Sequence, residues 1–144
     1  MFVNYHYIKE LSTDIMSPLS KNFVRASLIY FFIAAVLGII MVSMKSYPAQ
    51  LLFTHVHLNL LGWMSMMIYG VGYHILPRFT GKPLAYPKMG DVHFYLANTG
   101  LVGLVCFRPF HPLAEIFAGV QVISVGLFVF NIWMSLIPPK PEAE

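Results

Sequence analysis

Four long apolar windows, broken by almost no charge, constrain this chain more than any other feature. Ala26 to Met44 carries no acidic or basic side chain, and Gln50 to Leu76 carries only three histidines. Val92 to Phe107 is an uncharged run of 16 residues, and Leu113 to Ile137 holds Glu115 alone. A bilayer core takes about 20 apolar residues per helix, with a working range of roughly 17 to 25. Inside it a lone strand or loop would leave backbone groups unsatisfied, so the windows read as helices. The predicted fold class is therefore all-α: an integral membrane four-helix unit with spans at about 26–44, 50–77, 92–107 and 113–137. Pro48, Pro77 and Pro138-Pro139 punctuate these spans. The connections Lys45 to Ala49, Arg78 to Asp91 and Arg108 to Pro112 are short, which predicts sequential antiparallel neighbours in an up-down arrangement.

Composition narrows the function classes. Hydrophobic residues make up 58% and charged residues 10% of the chain, and the mean hydropathy is +0.69. Soluble domains are about one quarter charged, so a cytosolic enzyme and a disordered tail are excluded. The net charge of +3 does not support a nucleic-acid partner. The single cysteine, Cys106, rules out a disulfide framework, a cysteine-ligated iron–sulfur cluster and thioether attachment of a haem. Lys9, Lys21, Arg25, Arg78, Lys82, Lys88 and Lys140 fall on one side of the predicted membrane, against Lys45 and Arg108 on the other. By the positive-inside rule both termini are expected on the cytoplasmic side of the inner (cytoplasmic) membrane. Residues 1–25 lack a signal-peptide pattern and read as a retained cytoplasmic or interfacial segment, with Ser17-Pro18 as a helix start signal. Residues 138–144 read as a short extended tail.

Ionisable groups within a span are costly and usually face a cavity, a partner or a ligand. His55 and His57 are therefore the most informative residues. Two positions apart on an α-helix point about 200° apart, so these imidazoles serve two different neighbours rather than one metal. The His55 side also carries Asn59, Gly62, Met66 and Tyr73, with Gly62 leaving room for a flat group. The His57 side carries Leu61, Met64, Ile68 and Ile75. Axial ligation of a haem and a non-haem metal site both fit such residues, and the scarcity of carboxylates favours haem. Interhelical hydrogen bonding with Asn59 and Thr54 is the ligand-free alternative.

The string Thr54-His55-Val56-His57-Leu58-Asn59-Leu60-Leu61-Gly62-Trp63, followed by Gly70 and Tyr73-His74-Ile75-Leu76-Pro77, resembles the second transmembrane helix of the catalytic subunit of haem–copper oxidases and nitric oxide reductases. Lys21-Asn22-Phe23, Ser27-Leu28-Ile29-Tyr30-Phe31 and Gly38 are similar to that family's first helix, so the resemblance spans roughly residues 20–80. It implies that His57 is an axial ligand of a low-spin b-type haem and that His-x-His serves two haems. That family's catalytic subunit has about twelve helices in three arcs of four, and this chain has the helices of one arc. The resemblance thus implies a ring-like homo-oligomer, a homotrimer in preference to a dimer, with His57 of one copy and His55 of the next on each haem iron. The family's binuclear centre needs a pair of adjacent histidines and a His-Pro-Glu-Val motif. Both are missing here, which does not support oxidase or reductase chemistry.

Arg108, in the loop on the same side as His55 and His57, is suited to pairing with haem propionates, or equally to reaching the headgroups. His111 lies in the same loop. His74 is about 25 Å along the helix from His57, so it belongs with His93 at the opposite end, where interfacial hydrogen bonding is the preferred reading. Glu115 fits the dipole of a helix start. The leading expectation is a membrane b-type cytochrome in electron transfer, with a redox partner protein or a quinone. A haem- or gas-responsive protein and a haem-free assembly subunit of a respiratory complex are the alternatives.

Overall fold

In a computed structural model of the protein, residues 16–137 are described and form four consecutive helical runs. The proposed cytoplasmic N-terminal segment through residue 15 and the tail from residue 138 lie outside the described residues. Helix α1 is Pro18–Ser43, α2 is Ala49–Thr80, α3 is Pro87–Phe107 and α4 is His111–Ser135.

Helix α1 begins ahead of the charge-free window because capping, not hydrophobicity, sets its start. Ser17 Oγ accepts the Ser20 amide at 3.2 Å and Pro18 occupies the first turn. The helix therefore runs on through Lys21 and Arg25 before it enters the apolar stretch. Helix α3 likewise starts at a proline, Pro87, and so reaches 21 residues where the uncharged run alone gave 16. Helices α1, α2 and α4 are each long and apolar enough to cross a membrane. The more polar α3 buries His93 and Ala97 with Gly100, Leu101, Gly103 and Leu104 against its neighbours.

The unit consists of two antiparallel hairpins, α1 along α2 and α3 along α4. Small residues bring the backbones together, as expected where lipid supplies no hydrophobic drive between helices. The Phe117 ring of α4 rests directly on Gly103 of α3. Polar cross-links then fix the register. Gln121 Nε2 donates to Ala97 O at 3.0 Å, and Tyr30 Oη donates to Asn98 Oδ1 at 2.8 Å. Asn131 of α4 pairs with both backbone groups of Tyr86, and Ser135 Oγ accepts the Ala85 amide at 3.0 Å. The loop between α2 and α3 is thereby tied to the end of α4.

Hydropathy is arranged for a hydrocarbon surround. Phe32, Ile39, Val122 and Trp133 are each about 70% exposed, whereas Ser20, Ser27, His93, Ser124 and Asn131 are fully buried. Water would penalise that outer surface and a bilayer does not. The interior is an aromatic cluster in which Phe23, Tyr69, Tyr73 and Phe128 surround the His93 ring at centroid distances of 4.6–5.8 Å.

Candidate functional site

Helix α2 is not uniform. Ala49–His57 is α-helical, Leu58–Ser65 is π-helical, Met66–Ile75 is α-helical again, and Leu76–Thr80 closes as a 3₁₀ turn. The wide segment starts at the residue after His57, and Ser65 Oγ donates to the Leu60 carbonyl, five residues back, at 2.8 Å. π-Segments in α-helices occur frequently at functional sites.

Because the first segment is regular, His55 and His57 do diverge. His55 turns toward α1, where its Nδ1 lies 2.8 Å from the Ala34 carbonyl oxygen. A side chain on Gly38 would sit 3.2 Å from the His55 ring, so that glycine makes the seat. His57 stays on the other side of α2, stacked on Phe53 at 3.8 Å between ring centroids, with Nδ1 2.8 Å from the Phe53 carbonyl oxygen.

A carbonyl oxygen only accepts, so in each neutral ring Nδ1 carries the proton and Nε2 holds the lone pair. That is the tautomer and the support a metal-ligating histidine uses. His57 Nε2 has no hydrogen bond among the described residues. His55 Nε2 is approached by Asn59 Nδ2 at 3.4 Å, beyond a good hydrogen-bond length, while the same Asn59 nitrogen donates to the His55 carbonyl at 2.8 Å.

Arg108 joins the His57 side. Its guanidinium lies 4.8 Å above the Phe53 ring, the ring on which His57 stacks. Gln50 anchors it: Oε1 accepts from Arg108 Nη1 at 3.2 Å and Nε2 donates to the Val105 carbonyl at 2.9 Å. Gln50, Phe53 and His57, spaced by three and four residues, lie along one face of the first α-helical segment. Gly62 is buried against the same chain, where an added Cβ would lie 2.7 Å from Tyr30 Cβ and 3.1 Å from Leu101 Cδ2. The flat group that uses its missing side chain is the Tyr30 ring.

The other histidines are dispersed. His74 Nε2 meets Arg78 Nη1 at 2.8 Å, whereas His93 is fully buried with Tyr73 Oη 2.8 Å from its Nδ1. They therefore point to different surroundings and do not face one another across a shared site. His111 and Glu115 are exposed on the first turns of α4. Among the described residues, no three His, Cys, Asp or Glu side chains gather into a metal-binding group.

A comparison with known proteins adds a partial likeness. The chain is 41% identical over 49 residues to cytochrome c oxidase subunit 1 of Rhodobacter capsulatus. That match covers 33% of this chain and 9% of the oxidase subunit. The chain is thus similar to a small part of a much longer protein. No protein-family model matches it, and no solved structure matches it. The likeness agrees in kind with the resemblance read from the α2 motif and joins a multi-helix membrane chain to a haem–copper oxidase subunit over that limited length.

Proposed function

We propose that this protein is a membrane b-type cytochrome that holds low-spin, bis-histidine haem between copies of itself and takes part in electron transfer. The observation that carries the reading is the seat that His55 and His57 share, each with Nδ1 2.8 Å from a backbone carbonyl oxygen. Each ring gives its Nδ1 proton to a backbone carbonyl, and the two Nε2 lone pairs leave α2 on different sides. One chain therefore does not close both positions on a single iron, but two copies can, each giving one histidine. A closed ring repeats that pairing with the same two patches on every copy. A homotrimer restores the three four-helix arcs implied by the resemblance.

The residues present fit the group. Exposed Val56, Leu60, Trp63 and Met64 give an apolar surface around the two histidines. Arg108, held by Gln50 and by the Phe53 ring, places a permanent positive charge at the same end, where it would neutralise propionates. When bound, a six-coordinate haem supplies one-electron exchange. Phe53 and its carbonyl orient His57, Ala34 and Gly38 orient His55, and Asn59 stands over the His55 lone pair. The proposed setting is the inner membrane, with the histidine pair toward the outer face and the electron partner a protein or a quinone.

Substitution separates this site from the far end of the helix. His57→Ala is expected to abolish retention of low-spin haem, whereas His74→Ala keeps it. A His57→Ala protein with a full complement of low-spin haem would overturn the assignment.

A further inference from the structure

His55 and His57 carry the same imidazole, but their outward nitrogens are not equivalent. His57 Nε2 has no hydrogen bond among the described residues, whereas Asn59 Nδ2 stands 3.4 Å from His55 Nε2. Both groups of that second pair are held in place. The His55 ring is tied to α1 through Nδ1, 2.8 Å from the Ala34 carbonyl oxygen. Gly38 lies so close that a Cβ there would come within 3.2 Å of the ring. Asn59 is fixed through the same nitrogen, which donates one N–H to the His55 carbonyl at 2.8 Å and has a second N–H left for the ring. A neutral imidazole whose Nδ1 carries the proton has one lone pair, on Nε2. A metal ion and the Asn59 amide therefore compete for His55 Nε2, and among the described residues His57 Nε2 has no such competitor.

We infer that His55 is the exchangeable axial ligand of the proposed haem, that Asn59 is the positioning residue that makes it so, and that the vacated position takes a small neutral diatomic ligand of the carbon monoxide class. The inference rests on the bis-histidine reading above. His55 Nε2 leaves with its lone pair and accepts the Asn59 N–H, while the diatomic donates its own pair in the same place. One dative bond breaks, one forms, and no electron is transferred. With both imidazoles in place, a six-coordinate iron has no position for such a ligand. Val56 and Leu60, next in the chain to His55 and Asn59, are exposed and make the surroundings apolar, which suits an uncharged ligand and penalises an anion.

The test is a carbon monoxide titration of the dithionite-reduced, haem-loaded, full-length protein in mild detergent, followed by its visible spectrum. The parent is expected to lose the sharp low-spin α-band and to shift its Soret band as carbon monoxide replaces one imidazole. Asn59→Leu, close in volume but without the amide, should raise the half-saturating carbon monoxide concentration about fivefold, the weight of one neutral hydrogen bond. The same variant should release haem to apomyoglobin more slowly than the parent, because the competitor is gone; a side chain that merely supports the fold would have the opposite effect. Thr54→Val is the control, since the Thr54 hydroxyl donates to the Gln50 carbonyl and has no hydrogen bond to either ring. Its half-saturating concentration should stay within about twofold of the parent. Circular dichroism of each variant establishes that the helices persist. A haem-loaded parent whose spectrum does not change under saturating carbon monoxide would overturn the inference. So would an Asn59→Leu protein that titrates like the parent or loses haem faster. The cytochrome reading survives each of those results. A folded parent that takes up no haem overturns that reading and this inference together, so the two failures are distinct.

Discussion

A single backbone carbonyl fixes the chemistry of each histidine of the pair. His57 takes its carbonyl from Phe53, one turn back in its own helix, and His55 takes its own from Ala34 in α1. The divergence of the two rings was legible in the sequence, because 100° per residue holds through Ala49–His57. The column of Gln50, Phe53 and Arg108 was not. Arg108 was legible as a cation at the correct end, but its dependence on Gln50 requires knowing that α3 ends beside the start of α2. Arg108→Gln is predicted to weaken haem retention roughly tenfold, the order of one charge-assisted hydrogen bond, as read by haem transfer to apomyoglobin. His57→Phe should give no low-spin haem at all in the same assay. Gly62 carries a separate expectation. Its Cβ position lies 2.7 Å from Tyr30 Cβ, so Gly62→Val should destabilise the α1–α2 contact by about 1–3 kcal/mol, seen as a lower thermal midpoint in detergent. An unchanged midpoint would show that Tyr30 moves aside at no cost.

At the scale of elements, the helices follow apolar run length while their boundaries follow caps. Ser17-Pro18 was readable as a start, and α1 begins there. The start of α3 was not placed by hydropathy, because Lys88 and Asp91 lie inside its first turns and Pro87 sets the register. The π-segment Leu58–Ser65 left no mark in an apolar pattern. It depends on how α2 accommodates Tyr30 and Leu101 at Gly62 while keeping Met66, Tyr69 and Tyr73 buried further along. Since such a segment holds an extra residue per turn, deleting Leu60 is predicted to restore a plain α-helix. The His55-His57 end would then rotate by about 100° relative to Tyr69 and Tyr73. The expected outcome is unchanged helicity by circular dichroism with loss of low-spin haem. Retention of haem in the deletion variant would mean that the wide segment does not set the histidine orientation.

At the scale of the molecule, the apolar outer surface suits a bilayer, and the proposed haem sites would call for other copies because the two histidines diverge. The polar interior satisfies Tyr30, Gln121 and Asn131 within the chain, while His93 Nε2 and Ser124 Oγ are buried without a hydrogen-bond partner among the described residues. Under the proposed function, what one chain would lack is a second imidazole for each iron. Assembly and haem content are therefore predicted to be linked. Multi-angle light scattering of purified protein should give a trimer, and His55→Ala, His57→Ala and the double variant should lose haem together.

The most direct measurement is a reduced-minus-oxidised visible spectrum of the purified protein in mild detergent, with haem per chain from the pyridine haemochrome. A sharp low-spin b-type α-band at one haem per chain is the predicted result, because a closed ring has as many His55–His57 interfaces as it has chains. A properly folded, colourless protein that takes up no haem on addition would contradict the cytochrome assignment and leave His55 and His57 as braces between helices.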